Sequence, residues 1–270
     1  MTSLAVTLSV DARGPCAIYI ITDSRITWDR ASVRWDGGQK AFASRVSADI
    51  FGYCGDAYYP PMILRQVIDQ VDNGLLFDDR LGASDRHTIV VQAFRRALEP
   101  RVDTPIRSFS LFHAGREGDG MKRTFRLWEV IYNHTNGRWS DYEHEISGDK
   151  SYLVHLDGTG RPTIESKSRD WMRTEAKGTS RAAIGAFCDA LHSGKDPFSG
   201  GPPQLVGIWR IGPARPFGFL WNGKKYLAGL EVIGEAIWQA VPWFNHLFER
   251  CDGKTGKRLK SAQRHPRPSF

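Results

Sequence analysis

Residues 3–10 alternate strictly. Leu4, Val6, Leu8 and Val10 are apolar, and the residues between them, Ser3, Ala5, Thr7 and Ser9, are small. A period of two is a strand, because successive side chains of an extended chain point to opposite faces. Asp11-Ala12-Arg13-Gly14-Pro15 then interrupts the pattern with turn residues. Cys16-Ala17-Ile18-Tyr19-Ile20-Ile21 follows, apolar at every position, which marks a strand buried on both faces. Folded about the turn, the two strands pair residues whose numbers sum to about 25 or 26. Thr2 then lies across from Asp23 or Ser24, so the start of the chain sits beside Asp23-Ser24-Arg25.

A second hairpin is predicted from Gln39–Ala43 and Asp49–Cys54. Gly55-Asp56 leads into a helix over 60–72 with the stripe Ile63, Leu64, Val67, Ile68, Val71, prolines at its start and Asn73-Gly74 at its end. A second helix is predicted over 85–99, striped by Val90, Ala93, Phe94, Ala97 and Leu98 and stopped by Pro100. Strands are predicted at 108–113, 125–132, 138–146 and 152–156, then a helix over 180–192, strands at 204–211 and 217–220, and an aromatic-rich helix from Glu231 ending near Pro242. Helices must cover a largely antiparallel strand set. The predicted class is therefore α+β, a four-layer αββα sandwich.

At 270 residues, 41% hydrophobic and 25% charged, the chain can bury a large core, and its composition excludes disordered, collagenous and disulfide-dense classes. One domain over 1–250 is expected, with a basic, flexible tail over 251–270. From Asp252 onward the tail holds six basic residues and one acid, which is five of the chain's seven net positive charges. Such a tail can touch an acidic partner or nucleic acid, but a solvated terminus is the simpler reading. No apolar run reaches the ~18 residues of a membrane span, and no signal peptide is seen. The four separated cysteines, Cys16, Cys54, Cys188 and Cys251, read as reduced thiols, so a cytoplasmic location and no membrane partner are expected.

Metal-ligand, P-loop, dinucleotide and serine-elbow motifs are absent, and the eight histidines show no ligand spacing. No metal and no cofactor are therefore expected. The chemistry gathers instead at the N-terminus. Removal of Met1 would give Thr2 both a hydroxyl and a free α-amine, and an α-amine titrates near 7.7–8.0, roughly two and a half units below a lysine. Nucleophile and base then belong to one residue. Such a site needs a cation to activate it, a carboxylate to hold that cation, and a backbone N–H for the oxyanion. Lys40, Asp23 and the Gly55 N–H fit these needs, each at the end of a strand near residue 2. Taken singly, each has a plainer role: a small residue after the initiator, a strand-edge lysine, a turn aspartate and a helix start with Asp56 as cap.

In order and spacing, these segments resemble the proteasome β-subunit family and its bacterial proteasome-like relatives, within the N-terminal-nucleophile hydrolases. The resemblance runs through Thr2-Ser3-Leu4-Ala5-Val6, Thr22-Asp23-Ser24-Arg25, Gln39-Lys40 and Gly52-Tyr53-Cys54-Gly55-Asp56-Ala57, with Asp196-Pro197-Phe198-Ser199-Gly200-Gly201 later. Residues 105–175 match poorly. The resemblance implies Thr2 as nucleophile, Lys40 and Asp23 as the activating pair, Gly55 as oxyanion donor and Arg25 as a structural neighbour. Asp196 and Ser199 would support the amine. The family's further serine, in a Gly-Ser-Gly turn, has two imperfect candidates here, Ser147 and Ser180.

The first functional reading is a threonine-type amide hydrolase acting on peptides or proteins. The resemblance also implies a ring or helical homo-oligomer, and an ATP-dependent unfoldase as a possible partner. The apolar segment Ala236, Ile237, Trp238, Val241, Trp243, Phe244, Leu247, Phe248 is a candidate contact surface, with burial in the chain's own core as its rival. Two other readings stand: an inactive scaffold whose basic tail docks a partner, with nucleic acid not the expected one, and a small-molecule amidase on the same site.

Overall fold

The computed structural model describes residues 2–268 except 29, 79, 103, 104, 121, 122, 235–237 and 266. The chain opens with β1 (Ser3–Asp11) and β2 (Gly14–Thr22), then β3 (Ile26–Trp28), β4 (Arg30–Trp35), β5 (Ala41–Ala43) and β6 (Asp49–Gly55). Two helices follow, α1 (Tyr59–Asp72) and α2 (Ala83–Leu98), and then β7 (Phe109–Glu117), β8 (Thr124–Asn133), β9 (Arg138–His144) and β10 (Tyr152–Gly158). The rest is α3 (Arg161–Trp171), α4 (Ser180–Ser193), β11 (Gln204–Trp209), β12 (Arg215–Trp221), β13 (Lys224–Leu227), β14 (Leu230–Glu231), β15 (Trp243–Asn245) and β16 (Arg250–Cys251). The class is α+β, with mostly antiparallel sheets and four α-helices among the described residues. None of these helices is long and apolar enough to cross a membrane.

The first hairpin follows the expected arithmetic. Leu4 pairs with Thr22, Val6 with Ile20 and Ser9 with Ala17, all summing to 26, and a bulge after Ser9 shifts Val10 onto Pro15. Both faces of β1 are buried. Leu4, Val6 and Leu8 join Ile18 and Ile20 against Ala41, Ile50, Phe112 and Leu127, between a nine-stranded sheet (β10-β1-β2-β11-β12-β13-β14, with β15 and β16) and a five-stranded sheet (β5-β6-β7-β8-β9). On the other face Ala5 joins Tyr19, Ile21 and Phe217 under Ile164 of α3 and Ile184 and Phe187 of α4. The small residues of β1 let the helices approach closely. A third cluster packs Phe51, Tyr53, Leu111 and Val130 of the five-stranded sheet under Leu64, Val67 and Ile68 of α1 and Val90 and Phe94 of α2. Each fully buried side chain of this kind contributes about 1.5–3 kcal/mol.

Asp56 sets the corner before α1. Its Oδ1 accepts the Tyr58 and Tyr59 N–H groups at 2.8 Å each, and its Oδ2 accepts the Arg107 N–H at 2.9 Å.

Two expectations are corrected. Residues 161–171 form a helix that the pattern did not predict, because α3 is mostly polar and buries only Ile164 and Trp171. It docks through that tryptophan, whose indole lies over Gly185 of α4 and donates to Asp189 Oδ2 at 2.8 Å. The aromatic segment predicted as a helix from Glu231 instead forms β14, a 3₁₀ turn at Trp238–Ala240, and β15, which runs parallel to β12. Trp243 lies over Gly218, where a Cβ would come within 2.3 Å of the ring, and Trp243 and Phe244 are buried in the chain's own core. Ala236 and Ile237 lie outside the described residues. The α4 cap is Thr179, whose hydroxyl accepts the Ala182 N–H. Residues of the basic tail hydrogen-bond back to the body: Leu259 N–H to the Arg250 carbonyl at 2.9 Å and His265 N–H to Glu249 Oε1 at 2.6 Å.

Candidate active site

The register of β1 and β2 brings Asp23 to Ser3. The Asp23 N–H donates to the Ser3 carbonyl at 3.1 Å, and the Ser3 N–H donates to Asp23 Oδ1 at 3.0 Å. The same Oδ1 accepts Lys40 Nζ at 2.8 Å, from the residue just before β5. Oδ2 accepts the N–H groups of Arg25 and Gly200, each at 3.0 Å. One carboxylate thus takes four donors from four segments. The Lys40 and Asp23 side chains are 1% and 0% exposed. Lys40 Nζ lies within two hydrogen-bond lengths of the Thr2–Ser3 peptide.

A buried amide fixes Lys40 from behind. Gln204 Oε1 accepts the N–H groups of Lys40 (2.9 Å) and Ala41 (3.3 Å), while its Nε2 donates to the Gly38 carbonyl (2.7 Å), Ser24 Oγ (3.0 Å) and the Asp23 carbonyl (3.3 Å). All polar atoms of Gln204 are used. Its position at the start of β11 bears no motif, so sequence reasoning did not single it out.

Arg25 is a brace. It forks onto Asp36 at 2.7 and 2.8 Å and donates to the carbonyls of Pro197 and Ser199 at 3.2 Å each, holding the 196–200 turn against residue 23. These hydrogen bonds raise the Arg25 pKa and hold Asp36 below the usual carboxylate range. From that turn, Ser199 Oγ accepts Ser3 Oγ at 2.8 Å and donates to Asp196 Oδ2 at 2.6 Å.

Neither serine proposed for the further position is at this site. Ser180 Oγ bonds Ser9 Oγ at 2.5 Å and Ser151 Oγ at 3.3 Å, at the far end of β1, about 20 Å along the strand from Thr2. Ser147 is exposed, and its N–H donates to the Tyr152 hydroxyl at 3.3 Å. Beside Thr2 and Ser3 stands instead Gly158-Thr159-Gly160, at the end of β10. Thr159 Oγ1 donates to Asp196 Oδ2 at 2.8 Å, and the Gly160 N–H reaches the Thr2 carbonyl at 3.4 Å. Both glycines are required by contact: a Cβ at Gly158 (φ +89°) would lie 1.9 Å from the Thr2 carbonyl oxygen, and one at Gly160 would lie 1.7 Å from Ser3 Oγ. A search for a hydroxyl between glycines, rather than for serine alone, would have found it.

Thr2 is 1% exposed and lines a cavity of about 390 Å³ with Cys54, Gly55, Ser110, Asp157, Gly158 and Thr159, among others. Gly55 sits at its rim in the left-handed region (φ +100°), where a Cβ would meet the Ser108 carbonyl oxygen at 2.4 Å. Burial, and then the Asp157 charge, push the Cys54 thiol far above its ordinary range, so it is an inert wall. A second cavity of about 630 Å³ shares Gly55 and Ser108 with the first and is walled by Ile26, Thr27, Trp28, Ala57, Tyr58 and Arg107, among others. Met1 lies outside the described residues.

No family model matches the chain, and no curated protein matches it. Among solved structures it is similar to one described as Thiobacillus denitrificans BPH in complex with epoxomicin, at 17% sequence identity and a TM-score of 0.45, over 78% of this chain and 100% of that one.

Proposed function

We propose that the chain is a threonine-type amide hydrolase that cleaves peptides with Thr2 after removal of Met1. The observation that carries this reading is the sharing of Asp23 Oδ1 by the Lys40 ammonium and the Ser3 N–H, fully buried at the leading end of β1. A buried ammonium needs a compensating partner, and here the pair is held beside the residue whose amine and hydroxyl it would tune. The proposal includes a single four-layer αββα domain over 1–250 of the proteasome-like kind, supported by the three apolar clusters and their order through the layers.

In this mechanism the free α-amine of Thr2 takes the hydroxyl proton, directly or through a water. The alkoxide attacks the peptide carbonyl, and the Gly55 N–H at the cavity rim donates to the oxyanion. The ammonium formed at Thr2 returns its proton to the leaving amine, leaving an ester on Thr2. Water, activated by the same amine, releases the acid. Lys40 favours the neutral amine and the alkoxide by its charge, and Asp23 fixes Lys40. Ser199, Asp196 and Thr159 form a hydroxyl–carboxylate chain that orients the first two residues. The adjoining cavity, walled by Ile26, Trp28 and Tyr58, receives a substrate side chain.

Assembly into a ring or helical homo-oligomer, with an unfoldase as partner, belongs to the same proposal. Trp28, Val33 and Trp35 of the β3–β4 ribbon are 51%, 51% and 56% exposed and offer apolar surface for it. Light scattering at a multiple of 30.4 kDa supports assembly; a monomer at all concentrations removes it. The function is tested with fluorogenic peptide amides of varied side chain. The wild type turns over and Thr2→Ala, folded to the same circular dichroism, does not. Equal turnover by both, or turnover of neither on any peptide, refutes the peptidase reading.

A further inference from the structure

We propose that Glu129, His144 and His155 form a binding site for one divalent transition-metal ion of the zinc class. The site is separate from the Thr2 chemistry and does not depend on the peptidase reading. Glu129 and His144 lie diagonally on adjacent strands, since Leu127 of β8 pairs with His144 of β9 and Glu129 follows Leu127 by two, on the same face. His155 comes from the opposite sheet. It pairs with Val6, whose side chain packs in the cluster between the sheets, so His155 faces β8 across the gap.

The donors converge. His144 Nε2 is 3.0 Å from Glu129 Oε2, His155 Nε2 is 3.8 Å from it, and all three donor atoms lie within 4.8 Å of one another. Zinc at 2.0–2.1 Å from each ligand in a tetrahedron sets its donors ~3.3 Å apart, so the 3.0 and 3.8 Å separations from Glu129 Oε2 straddle the value needed. A hydrogen bond from His144 accounts for one imidazole. The second is aimed at the same oxygen from another sheet at a distance too long for a hydrogen bond, and a shared cation explains both. Among the described residues, no lysine or arginine forms an ion pair with Glu129. The side chains of Glu129, His144 and His155 are 13%, 24% and 19% exposed, desolvated yet within reach of an aqueous ion.

The position gives the site a consequence. Asp157 follows His155 by two on β10, and Ile131 follows Glu129 by two on β8; both line the Thr2 cavity. An ion here would tie β8 and β9 of one sheet to β10 of the other, one strand repeat inward from that cavity. Two imidazoles and one carboxylate leave the fourth position to water.

The test uses the full chain, stripped with chelator and dialysed. Zinc is titrated by calorimetry, its stoichiometry is checked by elemental analysis, and cobalt is added in parallel as a spectroscopic probe. One saturable ion per chain is expected, with tetrahedral cobalt bands, no thiolate charge-transfer band, and a rise in Tm on loading. Glu129→Gln and His155→Asn are expected to bind at least tenfold more weakly, by rough analogy with lesser changes around metal ligands, and to lose the Tm rise. His144→Gln, at the most exposed of the three positions, serves where those variants fail to fold. Thr2→Ala is expected to bind as the wild type does. No saturable binding, undiminished binding in the variants, or a cobalt–thiolate band each overturns the proposal.

Discussion

Lys40→Met removes the charge from the centre of the site and keeps the length of the side chain, so little cavity is created. What is lost is the partner of a fully buried carboxylate: Asp23 and Lys40 are 0% and 1% exposed and 2.8 Å apart. Breaking a buried pair from one side costs about 3–5 kcal/mol. Asp23 keeps three N–H donors, from Ser3, Arg25 and Gly200, so the low end, about 3 kcal/mol, is expected here. In a chain of this size that is a fall in Tm of roughly 6–12 °C. Asp23→Asn alone turns an amide NH₂ onto one pair of donors and costs a similar amount. In the double variant neither charge remains, and its loss is expected to be smaller than the sum of the singles by about 1–3 kcal/mol. Urea unfolding followed by the fluorescence of the nine tryptophans gives all four corners of the cycle. Folded Lys40→Met is expected to lose at least about 100-fold in peptide turnover. Additive singles, or a Lys40→Met variant as stable and active as the wild type, would refute the buried pair and the chemistry built on it.

Two further outcomes follow from the geometry. Gly158→Ala must relieve a 1.9 Å approach to the Thr2 carbonyl oxygen in addition to its left-handed backbone, so it is expected to cost more than about 2 kcal/mol and abolish turnover. Gly137→Ala, at φ +65° with nothing within 4 Å, is the control that carries the backbone cost alone, about 1 kcal/mol, with activity kept. His87, buried between Trp128 and His113 with Asp141 and Glu143 nearby, is pushed down to about 4, by desolvation first and by His113 second. The unfolded chain therefore binds the extra proton between about pH 6.5 and 4, and stability falls as pH drops through that window, by on the order of 3 kcal/mol at most. Urea midpoints at pH 7 and 4.5 measure it. His87→Gln is expected to flatten the decline, and an unchanged slope would contradict the assignment.

Much of the site is legible in the residue order because it is made of strand ends. Pairing arithmetic in one hairpin puts residue 2 beside Asp23, and Lys40 opens the next hairpin. The turn at 196–201 carries its own chemistry in Asp196 and Ser199. What escaped shares one cause: it depends on contacts between elements rather than on a local pattern. Thr159 departs from the serine expected between two glycines and becomes visible once Asp196 is seen to bind it. Gln204 has no neighbour in sequence that marks it, yet it bridges Lys40, Ser24 and Gly38. The metal-ligand triad draws on two sheets, so no spacing between His144 and His155 could reveal Glu129 as the third donor. The α3 helix lacks an apolar stripe because it meets the fold through Ile164 and Trp171. The aromatics after residue 231 suggested a helix by their density, but Trp243 and Phe244 pack as strand residues over Gly218 and the β12 face.

The central claim is that the second residue of the chain becomes the first and is then acylated on its own hydroxyl. Intact mass spectrometry of enzyme quenched during peptide turnover, with fragmentation of the N-terminal peptide, reads both events together. The expected result is a chain lacking Met1, with a transient acyl mass on Thr2. Turnover by protein that still carries Met1, or an acyl group on any other residue, would contradict it.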